Sequence, residues 1–429
     1  MAVKAKIMDR CKRTEIGTIP KHWDVVKIPE ILRRNGIKIG PFGSQLKKDF
    51  LTDSGYKVYG QENVYVKNME IGNRYISKER FFSLKSCEIL VGDFLISMMG
   101  TVGKCMIVKE LNEQGIMDSH LIRLRTDKDK VYNEFLLHIF TSKLVIHQIK
   151  KLSVGGIMEG LSSKIIKNIS IPQPPLHEQK AIATALTDTD NLIQSLEKLI
   201  EKKKKIKQGA MQQLLTGKKR LPGFSGEWEV RKLNTITWFQ EGPGVRTHQF
   251  TESGMKLLNG TNIQDGKLTL DRTNRYITLQ QANGIYSHFL ANEGDVIIAS
   301  SGVTIDKFHE KVTEVKKCHL PFCMNTSTIR FKVKQIVSKY YIMYFLKSNE
   351  FKVQIGGQAT GSAQLNFGPS HLNKINVIIP PTIEEQKAVA KVLSDMDSEI
   401  ELLEQKLEKY KTIKQGMMQE LLTGRIRLI

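Results

Sequence analysis

No run of about 18 uncharged apolar residues occurs in the 429-residue chain, so no segment suits a membrane-spanning helix. The opening decapeptide MAVKAKIMDR also lacks the apolar stretch of a secretory signal. Cysteine is scarce. The five thiols, Cys11, Cys87, Cys105, Cys318 and Cys323, are odd in number and scattered, which argues against a disulfide framework and for a reducing, cytoplasmic setting. Cys318 and Cys323 flank His319, but no second ligand pair stands at zinc-site spacing, so no metal is expected. Acidic residues are few: 44 Asp and Glu face 65 Lys and Arg, a formal net charge of +21. Such a balance fits nucleic acid, an anionic membrane surface or an acidic protein. The two long helices identified below lack the aromatic apolar face that a membrane surface would want. A hydrophobic content of 40% excludes a wholly disordered basic tail.

Catalytic signatures are missing as well. Gly100-Thr101-Val102-Gly103-Lys104 has its glycines too close together for a phosphate loop, and Cys105 stands where Ser or Thr would hold magnesium. Gly242-Pro243-Gly244 lacks the surrounding pattern of a dinucleotide site. An adenine methyltransferase would place Asn or Asp before its Pro-Pro pair and an aromatic after it. Here Gln173 and Leu176 flank Pro174-Pro175, and Ile379 and Thr382 flank Pro380-Pro381. No nuclease or helicase cluster is apparent.

What is present is duplication. Residues 171–221 align without a gap, at an offset of 207, with residues 378–428, and 28 of the 51 paired positions are identical. Upstream, His22-Trp23-Asp24-Val25 answers Glu227-Trp228-Glu229-Val230, Gly40-Pro41 answers Gly242-Pro243, Gly92-Asp93 answers Gly294-Asp295, and Gly155-Gly156 answers Gly356-Gly357. One unit of about 205 residues is written twice. In each unit short apolar or alternating runs bounded by Gly, Asn and Asp predict a strand-rich α+β domain. A helical pattern then runs from His177 to Leu215 and from Glu384 to Leu422, opened by the proline pairs and closed by Thr216-Gly217 and Thr423-Gly424. The expected boundaries are 1–172 and 218–379 for the strand-rich domains, and 173–217 and 380–429 for the helices.

Spacing of 4 and 3 sets one apolar seam on each helix. The first carries Ile182, Leu186, Ile193, Leu196, Ile200 and Leu214; the second carries Val389, Leu393, Ile400, Leu403, Leu407 and Leu421. A period near 3.5 predicts a coiled coil. Leu192 and Leu199, off the seam, become Glu399 and Lys406 in the second copy. A two-fold relation between the copies would make the helices antiparallel.

Pro174-Pro175-Leu176-His177-Glu178-Gln179-Lys180 and Gln208-Gly209 through Leu214-Leu215-Thr216-Gly217 are echoed by Glu385-Gln386-Lys387 and Gln415-Gly416 through Leu421-Leu422-Thr423-Gly424. This doubled pattern resembles the specificity (S) subunit of type I restriction-modification systems, over nearly the whole chain. The resemblance implies two target recognition domains, each reading half of a bipartite asymmetric site in double-stranded DNA, and an antiparallel helical spacer that sets the gap between them. It implies as partners two methyltransferase (M) subunits and motor-nuclease (R) subunits. Those partners would use S-adenosylmethionine, ATP and magnesium, and this chain would hold no cofactor and catalyse nothing alone. An alternative has one fused nuclease-methyltransferase partner. Other readings are a self-contained DNA-modifying enzyme and a structural adaptor for an acidic protein.

DNA readers need donors, acceptors or charge on loops. In the first domain the candidates are Ser44, Gln45, Lys47, Lys48, Gln61, Asn63, Lys67, Asn73 and Arg74. In the second they are Arg246, Asn259, Thr261, Asn262, Gln264, Arg272, Asn274, Arg275 and Lys307. The basic run Lys202 to Lys205 with Lys207 fits a rod lying along phosphates, and fits a solvated helix face almost equally well.

Overall fold

A computed structural model of the chain describes residues 11–99, 103–153, 161–271, 273–357 and 364–428. It divides into two compact units, residues 1–197 with 406–429 and residues 198–405. These divisions fall inside both long helices rather than at the expected boundaries, because each helix end packs into the core of a strand-rich domain.

Unit 1 is built on an antiparallel sheet of β1 (Leu32–Ile39), β2 (Phe94–Ser97), β3 (Cys105–Ile107) and β4 (Leu121–Thr126), in the order β1-β4-β2-β3. Side chains alternate across a strand, so β2 feeds two cores. Phe94 and Ile96 join one with the helix Asn133–Phe140, while Leu95 joins another with Val58, Phe81 and Ile116. A second sheet pairs Gly115–Met117 parallel to Tyr56–Tyr59, which pairs antiparallel to Tyr75–Ile76. Unit 2 repeats this plan with β5 (Thr237–Glu241), β6 (Val296–Ala299), β7 (Val312–Glu314) and β8 (Thr328–Val333), in the order β5-β8-β6-β7. Val296 and Ile298 again face one core and Ile297 the other. In each unit an entry strand pairs with the strand leading into a long helix, Asp24–Lys27 with Ser170–Gln173 and Glu229–Lys232 with Asn376–Ile379.

The long helices are α1 (Leu176–Leu214) and α2 (Ile383–Leu421), each 39 residues and one residue earlier than the sequence pattern suggests. Ten of the twelve seam residues are buried, and Ile193 and Leu403 are half-buried. Leu192 and Leu199, by contrast, are more than a third exposed. The seam also does more than join helices. Ile182, Leu186 and Leu421 enter the core of unit 1, while Leu214, Val389 and Leu393 enter that of unit 2.

Within each unit the helix segments run antiparallel, and their ion pairs repeat at the sequence offset. Asp190 meets Lys414 and Glu197 meets Lys411 at 3.2 Å in unit 1. In unit 2 the equivalent Asp397 meets Lys207, and Glu404 meets Lys204 at 2.6 Å. Lys203 adds a bond to Glu399 at 2.6 Å, and Lys205 pairs with Glu201 of its own helix at 2.6 Å. Four lysines of the run, Lys203, Lys204, Lys205 and Lys207, are therefore paired with carboxylates within the chain, which favours the solvated-face reading of the run over the phosphate one. The sequence pattern hid this because the partner acids lie some 190 positions away.

His138, in the helix Asn133–Phe140, is 4% exposed, with Nε2 3.1 Å from the Thr187 hydroxyl and Nδ1 4.0 Å from Asp190. Burial pushes its imidazole down to about 4; Asp190 and Glu134 oppose that shift, while Lys414 and Lys67 reinforce it. A histidine with a lowered folded-state value binds its proton preferentially in the unfolded chain. Its contribution is complete above pH 6.5 and is lost as pH falls toward about 4. The total is on the order of 3 kcal/mol. His138→Gln should flatten the decline of melting temperature across that window; an unchanged slope would contradict the assignment.

Candidate nucleic-acid interface

Each strand-rich domain is fixed to the helices by the same clasp. Glu385 is fully buried and takes a two-pronged bond from Arg220, Nε to Oε1 at 2.9 Å and Nη2 to Oε2 at 2.7 Å, with the Trp228 indole donating at 3.3 Å. In unit 1 Glu178 takes Arg427 at 2.9 and 3.2 Å, the Trp23 indole at 3.2 Å and His22 at 2.9 Å. Burial alone would raise the Glu178 carboxyl, but Arg427, His22 and Trp23 hold it below the usual range. The adjacent glutamines lock the helix starts. Gln179 accepts from the Tyr132 amide at 2.9 Å and donates to the Pro174 carbonyl at 2.8 Å; Gln386 accepts from Ser338 at 2.8 Å and donates to Pro380 at 3.0 Å. At the far ends Gly217 and Gly424 adopt φ +71° and +68°. A Cβ there would press on Trp228 at 3.2 Å and on Pro20 at 2.5 Å, so glycine serves both the left-handed turn and the close approach. The repeated Glu-Gln and Thr-Gly motifs are thus structural. Sequence reading did not assign these roles, although Glu178, Gln179 and Arg220 and their counterparts all lie among the identical pairs.

With the scaffold fixed, the candidate readers divide: most fall on loops or single 3-10 turns, but Gln61 and Asn63 lie in the short helix Gln61–Val66 and Gln264 in the strand Ile263–Gln264, which corrects their expected placement on loops. Ser44, Gln45, Lys47, Lys48, Lys67 and Asn73 are exposed, and the backbone carbonyls of Ser44 and Gln45 accept from Arg80. Gln61 is half-buried and accepts from Tyr65 at 3.2 Å. Arg74 bridges Glu62 at 2.7 Å and Asp118 at 3.0 Å. Asn63 is different. It is 1% exposed, its Oδ1 accepts from the Gly60 amide and its Nδ2 donates to the carbonyls of Asn68 and Ile71. The side chain closes its own loop and presents nothing to a base, which removes it from the candidates.

In unit 2 Arg246, Thr261, Gln264, Asn274, Arg275 and Lys307 are exposed. Arg272 lies outside the described residues. Asn262 repeats the Asn63 role, accepting from the Asn259 amide at 2.9 Å and donating to Thr269 at 3.0 Å, so it too is a loop tie. Asn259 collects Asn325 at 3.1 Å and Arg275 at 3.5 Å. The tetrapeptides Asn73-Arg74-Tyr75-Ile76 and Asn274-Arg275-Tyr276-Ile277 are identical and equivalently placed, Ile76 against Tyr56 and Ile277 against Met255. Yet Arg74 is held by two carboxylates, whereas Arg275 keeps one long bond to an amide and is the freer of the two to engage a phosphate or guanine.

A second class of surface residue is identical in both copies and exposed. Glu201, Lys202, Ile206, Gln208 and Gly209 on α1 recur as Glu408, Lys409, Ile413, Gln415 and Gly416 on α2. Ile206 and Ile413 are 46% and 40% exposed, off the buried seam. Packing within the chain does not account for this face.

Among the described residues no helix is long and apolar enough to cross a membrane, and no three His, Cys, Asp or Glu side chains are grouped to hold a metal.

Comparison with known proteins matches residues 20–208 and 225–412 to a family model described as the type I restriction modification DNA specificity domain. The MjaVIII type I restriction enzyme specificity subunit of Methanocaldococcus jannaschii is 28% identical over 424 residues, covering 96% of this chain and 94% of that protein. A chain solved in work on complex assembly and conformational transition of the type I R-M system shares the fold with a TM-score of 0.61 at 15% identity, over 95% of this chain and 99% of that one. The S subunit of a type I restriction-modification system from M. genitalium does so with a TM-score of 0.54 at 14% identity, over 93% and 96%.

Proposed function

Because the chain belongs to the type I restriction-modification DNA specificity family, we propose that it reads a bipartite, asymmetric sequence in double-stranded DNA and is the platform on which the catalytic subunits assemble. The reading is carried by one observation: two domains share a scaffold to the level of individual ion pairs, yet their loops differ. Two different readers carried on one duplicated scaffold suit a split site whose halves differ in sequence. The duplicated exposed face around Ile206 and Ile413 suits two copies of one partner, the methyltransferase subunit. A motor-nuclease subunit would join them, or a single fused partner would carry both activities.

On this reading S-adenosylmethionine, ATP and magnesium are used by the partners, and this chain supplies sequence choice without chemistry. Of the candidates, Arg275, Gln264 and Asn274 offer donors toward bases, and Lys47, Lys48, Lys67 and Lys307 offer charge toward phosphates.

Replacing residues 1–170 by another recognition domain, assembling the complex and mapping methylated adenines should change one half of the modified sequence and leave the other and the gap unchanged. A swap that altered neither half would reject the proposal. Ile206→Asp with Ile413→Asp should lower methyltransferase-subunit affinity at least tenfold while leaving the chain's melting temperature within a few degrees. Undiminished binding would remove these faces from the platform.

A further inference from the structure

Unit 2 contains a cleft of about 370 Å³, whose wall carries the polar side chains of Glu241, Ser300, Ser301, Thr326, Asn366 and His371 beside Phe367. Glu241 closes β5, opposite Ile329 of β8. Its carboxylate is half-buried and has no hydrogen-bond or ion-pair partner among the described residues, and burial raises its pKa. A half-buried carboxylate on a cleft wall keeps its acceptor capacity free for a donor that enters the cleft. The cleft adjoins the loop carrying Asn259 and Asn262, since the Ser327 hydroxyl accepts from the Gly260 amide at 3.0 Å.

The first copy shows what the scaffold alone requires there. Ile39 stands opposite Ile122 as Glu241 stands opposite Ile329, and Ile122 and Ile329 are 207 positions apart, the offset of the repeat. The Met98 amide donates to the His120 carbonyl at 2.9 Å, and the Ser300 amide to the Ser327 carbonyl at 2.9 Å. Ile39, Met98 and Met99 therefore occupy the stations of Glu241, Ser300 and Ser301. Ile39 and Met98 pack against the apolar core. The backbone is the same and the chemistry is opposite, so the fold does not demand the carboxylate.

We infer that Glu241, flanked by Ser300 and Ser301, is a specificity-determining residue of the second recognition domain and accepts a hydrogen bond from the exocyclic amino group of a cytosine or adenine. The inference rests on the DNA-reading function proposed above. In the major groove cytosine N4 and adenine N6 are donors, whereas guanine O6 and thymine O4 are acceptors that a carboxylate repels. Glu241 thus discriminates a base pair from its inverse at one position, and Ile39 in the first copy leaves that position unread by charge.

The test uses the full chain assembled with its methyltransferase subunit and duplexes in which each base pair of the mapped site is inverted in turn. With the wild type, one inversion in the second half should weaken binding by about tenfold or more. Glu241→Gln, which can donate as well as accept, and Glu241→Ile, the residue the first copy tolerates, should each reduce that penalty to about threefold or less at that position only. Melting curves report that both variants fold. If both keep every second-half preference, or if the altered position lies in the first half, the inference is overturned. A wild-type complex with no bipartite preference would instead remove the function on which it rests, and the inference with it.

Discussion

Arg220→Ala should destabilise unit 2 by about 3–5 kcal/mol, the cost of leaving a buried carboxylate without its cation. Glu385 is fully buried, and once the fork is gone only the Trp228 indole remains on it, at 3.3 Å. The same truncation in the other copy, Arg427→Ala, should cost less, about 1.5–3 kcal/mol, since His22 and the Trp23 indole still serve Glu178. Arg220→Lys should fall between wild type and Arg220→Ala, because an ammonium cannot engage both oxygens at once. Thermal unfolding of the three variants ranks them; equal losses for Arg220→Ala and Arg427→Ala would contradict this account. The acid limb should shift as well. Glu178 has a lowered folded-state value, so its contribution is present above the unfolded carboxyl range and is lost as pH falls through the lower folded value. Removing Arg427 should bring the folded value back toward the unfolded one and so shrink that acid-dependent loss.

Leu393→Ala and Leu186→Ala should each cost about 2–5 kcal/mol, the usual range for emptying a fully enclosed leucine site. Both side chains are inaccessible to solvent and sit where a long helix enters a domain core, Leu393 with Leu372 and Tyr341, Leu186 with Phe135 and Leu422. Leu192→Ala and Leu199→Ala, at 37% and 38% exposure, should change stability by no more than about 0.5 kcal/mol. Urea midpoints of the four variants provide the comparison. Similar losses at all four positions would show that the helices do not bury the seam at spacing 4 and 3.

The repeat, the strand-rich domains and the two helices were legible because each rests on local pattern: periodicity, turn residues and duplication. The seam was legible because the second copy replaces Leu192 and Leu199 by Glu399 and Lys406 while keeping Leu186 and Ile193 apolar. What escaped depends on residues distant in sequence. The pairing of Lys207 with Asp397 and of Arg220 with Glu385 spans more than 160 positions, so the basic run looked free and the Glu-Gln motif had no assigned partner. Asn63 and Asn262 misled for a different reason. An amide that ties its own loop has the composition of one that reads a base, and only its burial and local bonds separate the two. Glu241 is not legible in the sequence because a single acid at a strand end carries no pattern of its own; the register of β5 against β8 is what exposes its exchange with Ile39.

The two units differ in how the ribosome delivers them. Residues 198–405 emerge as one uninterrupted stretch, whereas the other unit joins residues 1–197 to 406–429. The first unit is begun first yet completed last, since Leu421, Leu422 and Arg427 follow the whole of residues 198–405. A nascent chain stalled between residues 405 and 421 would carry all of the second unit and an open first one, the reverse of the order in which they begin.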